Sequence, residues 1–538
     1  MSTISDQTKK NSNRRSWTKT DNIILAVLAL LAASAFLWGV LSENREAAAR
    51  SGDTAQQAQL PAFSDYDGKS IGSVTGTTYD VAILANIPNA KISYFSSYGD
   101  MLAALNSGRL DAFCADEPVV RYMMTTSDTV THLPEYLEAY DFSFAFPKDP
   151  EGLALREQFN RFIEEARADG TLAETDRKWF EGDESLQMPP DLSSLTAENG
   201  TLRLGTETLN PPFSQIINGE AAGYEIDLAF EFCKRNGYGL EIINYTFDAI
   251  LPALQSRQCE FAACCFTPTP ERAESVYFAE PHYSAGAVLA VPAAPADSGE
   301  GEGFFAGVVR SFEKNFIREA RWKLILEGIG ITCLITVLSA LFGTLLAFLI
   351  CMFRRTDSRL AGPVSDVYVR VFQGTPLVVL LMILYYIIFA HSSVSGVLIS
   401  IIGFSLNFAA YVSEIMRSGI ESVEGGQREA ALALGYTERQ AFFKFIYPQA
   451  AVRFLPVYRG EVVSLLKNTS IVGYIAIMDL TKVSDIIRSR TYEAFFPLIA
   501  TAVIYFLLAW IISLLLKQLL RRIDPRSGRN RRKEAEAQ

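Results

Sequence analysis

A set of long apolar segments constrains this chain more than any other feature of its sequence. The segments lie at about 23–41, 324–352, 376–390, 397–415, 464–478 and 496–516. An α-helix needs about 20 mainly apolar residues to cross the ~30 Å hydrocarbon core of a bilayer. The sequence therefore predicts an α-helical membrane protein with six crossings, in which residues 23–42 form an N-terminal transmembrane anchor and residues 320–525 form an all-α membrane domain.

The first apolar segment has a second interpretation. Ala33, Ser34 and Ala35 form a small-x-small pattern of the kind that signal peptidases cleave. The segment is longer than the core of most signal peptides, which favours an uncleaved anchor. Cleavage would free the N-terminus of the following region without changing its location.

Positive charges flank these segments on one side only. The arm at 1–22, the turn FRRTDSR at 353–359 and the tail at 526–538 are all basic, and such flanks tend to remain in the cytoplasm. The segment at 464–478 begins among polar residues, but without this crossing the basic tail would lie outside. The sequence therefore predicts a multi-pass membrane protein, with both termini cytoplasmic and the long acidic region outside.

Charge and rare residues exclude several classes of function. The net charge is −11 and the acidic residues are concentrated in 43–320, which disfavours nucleic-acid binding. The seven cysteines show no CxxC spacing and the three histidines are far apart, so no metal site or disulfide framework is predicted. Gly68-Lys69-Ser70 ends like a P-loop, but Phe63 stands where that motif requires glycine. We therefore expect no ATPase, and no bound ATP or Mg²⁺, in this chain.

Linkers divide the region outside the membrane. Residues 183–200 and 293–319 contain clusters of Pro, Gly, Ala, Ser and acidic residues. Residues 61–182 and 201–292 lie between the anchor and these linkers, and in both of them short apolar runs alternate with helical patterns. This alternation predicts βαβ units and an α/β fold with parallel sheets.

Both parts of this region carry motifs. Residues 201–292 contain GYEIDLA at 223–229, and TPERA followed by F-x-x-P-x-Y at 269–283. Through these motifs they resemble the first lobe of the extracellular solute-binding proteins that serve polar amino acid importers. Residues 61–182, with segments such as DGKSIGSVTGTTYD and CADEP, resemble the second lobe and the C-terminal helices of the same family. The resemblance implies a two-lobed fold like that of periplasmic binding proteins.

The order of the two lobes is inverted relative to that family. Either one binding domain is circularly permuted across the linker at 183–200, or two truncated copies lie in tandem. Residues 61–292 are enough for about one binding domain, and permutation is tolerated where natural termini lie close together at the surface. Permutation is therefore favoured.

The resemblance to these binding proteins implies a site for the two charged groups of an amino acid. Arg272 matches the position that holds the α-carboxylate, and its planar guanidinium can donate two parallel hydrogen bonds. Gly76, Thr77 and Thr78 match a strand-to-helix turn that offers backbone N–H groups to the same carboxylate. Asp116 matches the acceptor of the α-ammonium. Since Arg272 and Asp116 would come from different lobes, a ligand would favour closure of the hinge.

Three further residues are expected in the pocket. Thr267 lies in TPTPER, shortly before Arg272. Phe247 could stack on the ligand, or it could belong to the core. Glu207 could pair with a cationic substrate or form the rim of a neutral pocket, so the sequence does not identify the amino acid. Asn210 stands where many relatives carry an aromatic residue.

The membrane domain also carries a series of motifs. The segments VFQGTPLVVLL, NFAAYVSEIMRSGIESVEGGQREAALALG, FIYPQAAVRFLP and LLKNTSIVGY lie in this order within residues 320–525. In this they resemble the permease subunits of polar amino acid ABC importers, and Glu429, Ala430, Ala431 and Gly435 match the EAA pattern of those permeases. The resemblance implies a cytoplasmic loop that docks on an ABC ATPase subunit, one of a dimer, and a second copy of this permease or a homologous one.

Together these resemblances predict the membrane subunit of an ATP-driven ABC importer of the bacterial plasma (inner) membrane. We expect it to bind a polar amino acid outside the cell and to translocate it inward. We expect no reaction in the chain itself, because ATP and Mg²⁺ would be bound by the separate ATPase. Two alternatives stay open. The outer region could be a ligand-sensing or regulatory ectodomain on a permease, or the protein could be a ligand-gated channel.

Overall fold

The computed structural model describes most of the chain apart from its two ends. It covers residues 61–181, 186–293, 304–356, 358–390, 392, 394–493 and 495–523. The predicted arm at 1–22, the anchor at 23–42 and the tail at 526–538 lie outside the described residues.

The first lobe is built around a mixed five-stranded sheet with the order β2-β1-β3-β12-β4. Its strands are β1 (Ser70–Val74), β2 (Lys91–Phe95), β3 (Ala112–Asp116), β4 (Val130–Phe142) and β12 (Tyr283–Pro292). Its helices are α1 (Tyr79–Asn86), α2 (Tyr98–Asn106) and α3 (Glu117–Thr126). Strands β1, β2 and β3 are parallel, whereas β12 is antiparallel to β3 and β4. We call this unit the β1 lobe.

The second lobe has a sheet of the same design, with the order β11-β5-β10-β6-β9. Its strands are β5 (Ala145–Pro147), β6 (Thr201–Thr206), β9 (Gly239–Asn244), β10 (Phe261–Ala262) and β11 (Val276–Phe278). Its helices are α4 (Pro150–Ala168), α5 (Thr171–Asp176), α6 (Tyr224–Arg235), α7 (Phe247–Gln255) and α8 (Pro270–Ala273), and a hairpin is formed by β7 (Gln215–Ile217) and β8 (Glu220–Ala222). Strand β6 is parallel to β9 and β10, whereas β5 is antiparallel to β10 and β11. We call this unit the β6 lobe.

Each part of the sequence contributes one strand to the other part's lobe. Strand β5 precedes the linker at 183–200 but lies in the β6 lobe, and β12 follows that linker but lies in the β1 lobe. The two connections between the lobes run side by side, because Ala279 N–H donates to the Phe144 carbonyl at 2.9 Å and His282 N–H donates to the Phe142 carbonyl at 3.0 Å. Paired crossovers of this kind form a hinge.

Aromatic packing in the β6 lobe also joins the two parts of the sequence. Phe159 of α4 contacts Phe144 at 4.5 Å between ring centroids and Phe232 of α6 at 5.0 Å. All three rings are fully buried, and burial of one Phe side chain contributes about 1.5–3 kcal/mol. The helices that precede the linker therefore help to form the core of the lobe that follows it.

The remaining residues form a helical membrane domain. Its helices are α9 (Phe304–Phe312), α10 (Trp322–Arg354), α11 (Ala361–Gly374), α12 (Leu377–Ile383), α13 (Gly396–Glu421), α14 (Gly425–Ala433), α15 (Glu438–Ala441), α16 (Tyr447–Asn468), α17 (Leu480–Thr491) and α18 (Phe495–Ile523). Among the described residues, three helices are long and apolar enough to cross a membrane, within 322–354, 396–421 and 496–518. A fourth crossing results if α11 and residues 377–388, which bend by 103°, count as one span. The prediction of an α/β domain followed by a helical membrane domain is confirmed.

Two predicted segments differ from the structure. The predicted crossing at 464–478 is instead the end of α16, which begins at Tyr447, followed by a 3₁₀ segment at Thr469–Ile475. Helix α16 does not have the hydropathy of a lipid-exposed span, because Arg453, Arg459 and Glu461 interrupt its apolar pattern, and it packs instead against α13 and α18.

The predicted linker at 293–319 is also more ordered than expected. Its described part contains α9 and a π-helical turn at Glu313–Ile317. Asn315 in this turn is fully buried and donates from Nδ2 to Glu493 Oε2 at 2.5 Å. A specific contact to the end of α17 therefore orders a segment whose composition is typical of a linker.

Candidate ligand-binding site

A small cavity lies between the two lobes. Its walls come from the carboxyl ends of the parallel strands β1, β3, β6 and β10, where ligands bind in open α/β sheets. Seven of the predicted site residues line it, namely Thr77, Thr78, Asp116, Glu207, Phe247, Thr267 and Arg272. The structure thus brings together residues that are separated by almost 200 positions in the sequence.

Arg272 connects the two lobes across this cavity. It lies on α8, which begins at a turn where Thr269 Oγ1 accepts from the Arg272 N–H at 3.2 Å. Its Nη1 donates to the Thr267 carbonyl at 3.1 Å within the β6 lobe, and its Nη2 donates to the Gly76 carbonyl at 3.0 Å in the β1 lobe. The guanidinium lies over the Phe247 ring at 5.8 Å from its centroid. These contacts fix the orientation of the guanidinium, whose remaining N–H groups can donate hydrogen bonds to a carboxylate.

The turn between β1 and α1 supplies the opposite wall. Gly76 has a φ of +84°, a conformation that glycine adopts without strain. Thr77 Oγ1 donates to the Val74 carbonyl at 2.7 Å and holds the turn closed. Thr78 directly precedes the first residue of α1, so the N-terminal N–H groups of that helix lie beside the cavity.

Asp116 is the buried anion of the site. It ends β3, and only 2% of its surface is exposed. The hydroxyl groups of Tyr140 and Tyr79 donate to its carboxylate, and Tyr79 in turn is hydrogen-bonded to Tyr98 at 2.7 Å. Burial raises the pKa of Asp116 to about 6 even though the tyrosine hydrogen bonds oppose the shift. A carboxyl group in this setting is well suited to bind an ammonium group, because the added positive charge offsets its desolvation.

Glu207 lies at the end of β6 on the same cavity. Its Oε1 accepts from the Phe247 backbone N–H at 3.2 Å. Burial raises the pKa of Glu207 to about 7, against the opposing charge of Lys482 from the membrane domain. Phe247 begins α7 and is only partly buried, with its ring 5.5 Å from that of Phe266, so it combines the core role and the cavity role that the sequence left open.

Several cavity residues were not expected from the sequence. They are Val74, Tyr79, Tyr98, Tyr140, Phe142, Cys264 and Cys265. Asn210, at the position where many relatives carry an aromatic residue, also lines the cavity. Asn210 donates from Nδ2 to the Cys265 sulfur at 3.2 Å. Burial raises the pKa of both neighbouring thiols, Cys264 and Cys265, so they present neutral S–H groups to the cavity. No sequence signal marks Tyr140, because its position on a long antiparallel strand is set by pairing with distant β12.

A second, larger cavity separates the β6 lobe from the membrane domain. Thr208 and Asn244 line it from the lobe, and Tyr385, Gly396 and Met478 line it from the membrane domain. Since Glu207 lines the first cavity and its neighbour Thr208 lines the second, the end of β6 is a thin partition between them.

Helix α17 of the membrane domain contacts both lobes. Arg490 Nη1 donates to Gln215 of the β6 lobe at 2.7 Å, while Arg488 forms an ion pair with Asp100 of the β1 lobe. Lys482 Nζ donates to the Tyr245 carbonyl at 3.3 Å. The binding domain and the membrane domain are therefore joined through polar contacts at the mouth of the cleft.

The loop that the EAA pattern predicts to dock on an ATPase subunit forms two short helices, α14 and α15, at the end of the membrane domain away from α17. We call residues 425–441 the coupling segment. Glu429 and Ala430 are exposed on α14, whereas Ala431 is 3% exposed. Gly435 ends this helix with a φ of +83°, as glycine does at many helix C-termini. Arg428 Nε donates to Glu438 Oε2 at 2.9 Å and joins α14 to α15.

The structure combines a helical membrane domain with a two-lobed α/β domain that contacts α17, an arrangement that fits a membrane transport protein with its own solute-binding domain. Residues 339–527 match the family described as binding-protein-dependent transport system inner membrane component. Residues 202–375 match the bacterial extracellular solute-binding proteins, family 3.

Individual relatives agree with these matches. The chain is 36% identical over 194 residues to a putative glutamine transport system permease, GlnP, of Rickettsia bellii, covering 35% of this chain and 88% of that protein. It is 35% identical over 204 residues to the arginine transport system permease ArtQ of Bacillus subtilis, covering 37% and 92%. A solved structure described as an amino acid ABC transporter with histidines covers 41% of this chain and 100% of that chain, with 32% identity and a TM-score of 0.36.

The chain therefore belongs to the family of inner membrane components of binding-protein-dependent transport systems, and it carries a solute-binding domain on the same polypeptide. The family predicted from the EAA pattern and from GYEIDLA is confirmed.

Proposed function

We propose that this chain imports a polar amino acid, which it binds between its two lobes and passes inward through its membrane domain. The observation that carries the proposal is the position of Arg272 and Asp116, which come from different lobes and line one cavity. A free amino acid has one carboxylate and one ammonium group, so it satisfies both residues at once. The relatives include permeases named for glutamine, arginine and L-cystine, which supports an amino acid as cargo.

In this proposal each site residue has a defined role. Arg272 and the backbone N–H of Thr78 hold the α-carboxylate, while Gly76 and Thr77 shape the turn that presents it, since the Thr77 N–H already donates to the Val74 carbonyl at 3.3 Å. Asp116 accepts hydrogen bonds from the α-ammonium. The remaining predicted residues line the space for the ligand's side chain, namely Thr267, Phe247 and Glu207. Closure of the hinge follows because the ligand gains contacts to the second lobe only when the lobes meet.

We further propose that the binding domain is one circularly permuted unit. Two sheets of equal design, each completed by a strand from the other side of the linker, support this arrangement. Two truncated copies in tandem would each lack the strand that the other part supplies. The match to the solute-binding family extends from residue 202 into residues that fold as membrane helices, which agrees with a second lobe placed earlier in the chain.

The distribution of charge supports an orientation with the binding domain outside and both termini in the cytoplasm. At one end of α10, Arg354 Nη1 donates to Glu414 at 3.1 Å and Arg355 lies over the Phe442 ring at 5.0 Å, beside the coupling segment. At the other end, Gly328 of α10 lies against Leu480 of α17. The basic end is the cytoplasmic one in the usual arrangement, which leaves α17 and the two lobes outside.

Two partners complete the importer. A dimer of ABC ATPase subunits would dock on Glu429, Ala430 and the Gly435 turn, and would bind ATP and Mg²⁺ itself. A second copy of this permease, or a homologous one, would supply the other half of the pathway. This chain would then contribute binding and translocation, and no hydrolysis.

Titration calorimetry of the full chain in lipid nanodiscs against the twenty amino acids tests the proposal. We expect at least one amino acid to bind, and Arg272→Ala to weaken that binding at least a hundredfold, because two hydrogen bonds to a charged group contribute about 1.5–3 kcal/mol each. Asp116→Asn should have an effect of similar size.

Variants of the same chemical type in the β1 lobe serve as controls. Arg109→Ala and Asp128→Asn change exposed residues of the β1 lobe and should leave the affinity unchanged. If the parent protein binds none of the amino acids, or if Arg272→Ala binds as tightly as the parent, the proposed site is wrong.

A further inference from the structure

Lys482 is a buried cation of the membrane domain at the edge of the ligand-binding domain. It lies in the first turns of α17, and only 4% of its surface is exposed. Its Nζ donates to the Tyr245 carbonyl at 3.3 Å, while its side chain packs against Gly473. A buried ammonium is costly unless nearby groups compensate its charge.

The partner of Lys482 on the binding domain lies next to the ligand cavity. Tyr245 N–H donates to the Thr206 carbonyl at 2.8 Å, at the end of β6. Glu207 follows directly in sequence, and its Oε1 accepts from the Phe247 N–H at 3.2 Å. The ammonium and the carboxylate therefore approach the ends of the same two strands, β6 and β9, while Glu207 also lines the cavity.

The charge of Lys482 has few other partners. In the described part of the chain, no carboxylate oxygen lies within 4.0 Å of its Nζ in an ion pair. The acidic groups on which its charge acts at longer range are Glu207 and Asp485. Burial raises the pKa of each, and this ammonium opposes the shift. Asp485 is also engaged by Arg488, whose Nη1 donates to its Oδ1 at 3.0 Å. Glu207 is thus the acidic group whose negative charge is compensated chiefly by Lys482.

We propose that Lys482 completes the substrate site from the membrane domain by compensating the charge of Glu207, and so selects amino acids with neutral side chains over cationic ones. This inference rests on the proposed function of the same cavity. Without the lysine, burial would raise the pKa of Glu207 further, and the cationic side chain of a lysine or arginine ligand would take the place of Lys482 as the counter-charge that keeps this carboxyl group ionised. With Lys482 present, a cationic side chain that approaches Glu207 is repelled by a like charge in a medium of low dielectric constant.

The arrangement also explains why the permease and its receptor are on one chain. A soluble binding protein would show the selectivity of its own residues only. Here Lys482 of the membrane domain contributes to selectivity while that domain contacts the binding domain. The substrate preference of the whole chain therefore differs from that of the binding domain alone.

Competition binding on the full chain in nanodiscs tests this role. We would measure dissociation constants for glutamine and for arginine at about pH 8, where a carboxyl group with a pKa of about 7 is mostly ionised. Lys482→Met should raise the affinity for arginine relative to glutamine about tenfold. Lys482→Arg, which keeps the charge, should restore the preference of the parent. Lys467→Met, at an exposed lysine of α16, is the matched control and should change neither value.

A double-mutant cycle separates charge compensation from a purely structural role. If Lys482 acts through Glu207, Lys482→Met should leave the arginine-to-glutamine ratio unchanged in a Glu207→Gln background. A ratio that shifts less than twofold in the parent background, or that shifts equally in both backgrounds, would overturn the inference. The proposed function fails separately, when the parent protein binds no amino acid.

Discussion

Arg490 of the membrane domain touches both lobes of the binding domain at once. Its Nη1 donates to Gln215 Oε1 of the β6 lobe at 2.7 Å, and its guanidinium lies 5.7 Å from the ring centroid of Tyr122 in the β1 lobe. Tyr122 and Gln215 also meet each other, at 3.4 Å. A single arginine therefore holds together two surfaces that separate when the hinge opens, and its own position is fixed by Glu319 at 3.1 Å.

We predict that Arg490→Gln speeds the release of ligand from the full chain about tenfold, since a hydrogen bond to a charged group contributes about 1.5–3 kcal/mol and the arginine links Gln215 of the β6 lobe to Tyr122 of the β1 lobe. The measurement is the dissociation rate of a radiolabelled amino acid from nanodisc-embedded protein. Lys323→Gln, at an exposed cation of α10, should leave the rate unchanged. An unchanged rate in Arg490→Gln would show that α17 does not stabilise the closed state.

The buried carboxyl group of Asp116 predicts a pH dependence of binding. Its pKa in the ligand-free protein is about 6, and an ammonium ligand requires the ionised form. We therefore expect affinity to be constant above about pH 7 and to fall about tenfold per unit as the pH drops below about 6. Calorimetry between about pH 5 and about pH 8 measures this, and a flat profile in the parent would contradict the assignment of Asp116 as the ammonium acceptor.

The same shift affects stability with a defined sign. Because the pKa of Asp116 is higher in the folded state than the usual value of about 3.9 in an unfolded chain, the folded state binds more protons between these values. The free energy of unfolding without ligand should therefore decrease as pH rises from about 4 to about 6, by at most about 1.4 kcal/mol per unit. Asp116→Asn should remove this contribution, which calorimetric unfolding at several pH values can detect.

We predict that substitution of Gly223, the first residue of GYEIDLA, lowers the stability of the binding domain. Its φ is +146°, and a Cβ atom added there would lie 2.1 Å from the Phe213 carbonyl oxygen. Backbone atoms cannot yield as a flexible side chain can, so Gly223→Ala should cost more than about 2 kcal/mol. Scanning calorimetry should show a lower melting temperature for the binding domain. Gly362→Ala, where a Cβ would meet no atom within 4 Å, is the control, and an equal effect of both variants would disprove the steric argument.

The sequence predicted the site because its chemistry lies in short local motifs. Arg272 is placed by a four-residue helix whose N-cap is Thr269, and Gly76 is required by a turn with positive φ. Both features depend on neighbouring residues, so they are visible in the sequence. The sequence also predicted that Arg272 and Asp116 share one cavity, because residues 61–182 and 201–292 were interpreted as the two lobes of a single binding domain.

Other parts of the site depend on long-range packing and could not be predicted. Tyr140 reaches Asp116 because β4 pairs with β12, which lies far away in the sequence. No local motif marks Lys482, and only the docking of α17 on the binding domain brings it to the end of β9, where its charge acts on Glu207. The start of α16 at Tyr447 was missed for a related reason, since a helix packed among others does not need an apolar surface on every side.

The coupling segment gives the last prediction. The pair between Arg428 and Glu438 holds α14 and α15 together, and the turn at Gly435 has a φ of +83° that a β-branched residue adopts only with strain. Gly435→Val should misplace both helices, and Glu429→Arg should reverse an exposed charge on the surface that we expect the ATPase to contact. Each variant should reduce co-purification of the ATPase at least fivefold, a change of about 1 kcal/mol in binding, while amino acid binding to the outer domain stays unchanged.

Glu327→Arg, an exposed charge reversal near the other end of α10, should leave the complex intact. If Gly435→Val retained the ATPase and its ligand-stimulated hydrolysis, the docking surface would have to lie elsewhere on the membrane domain.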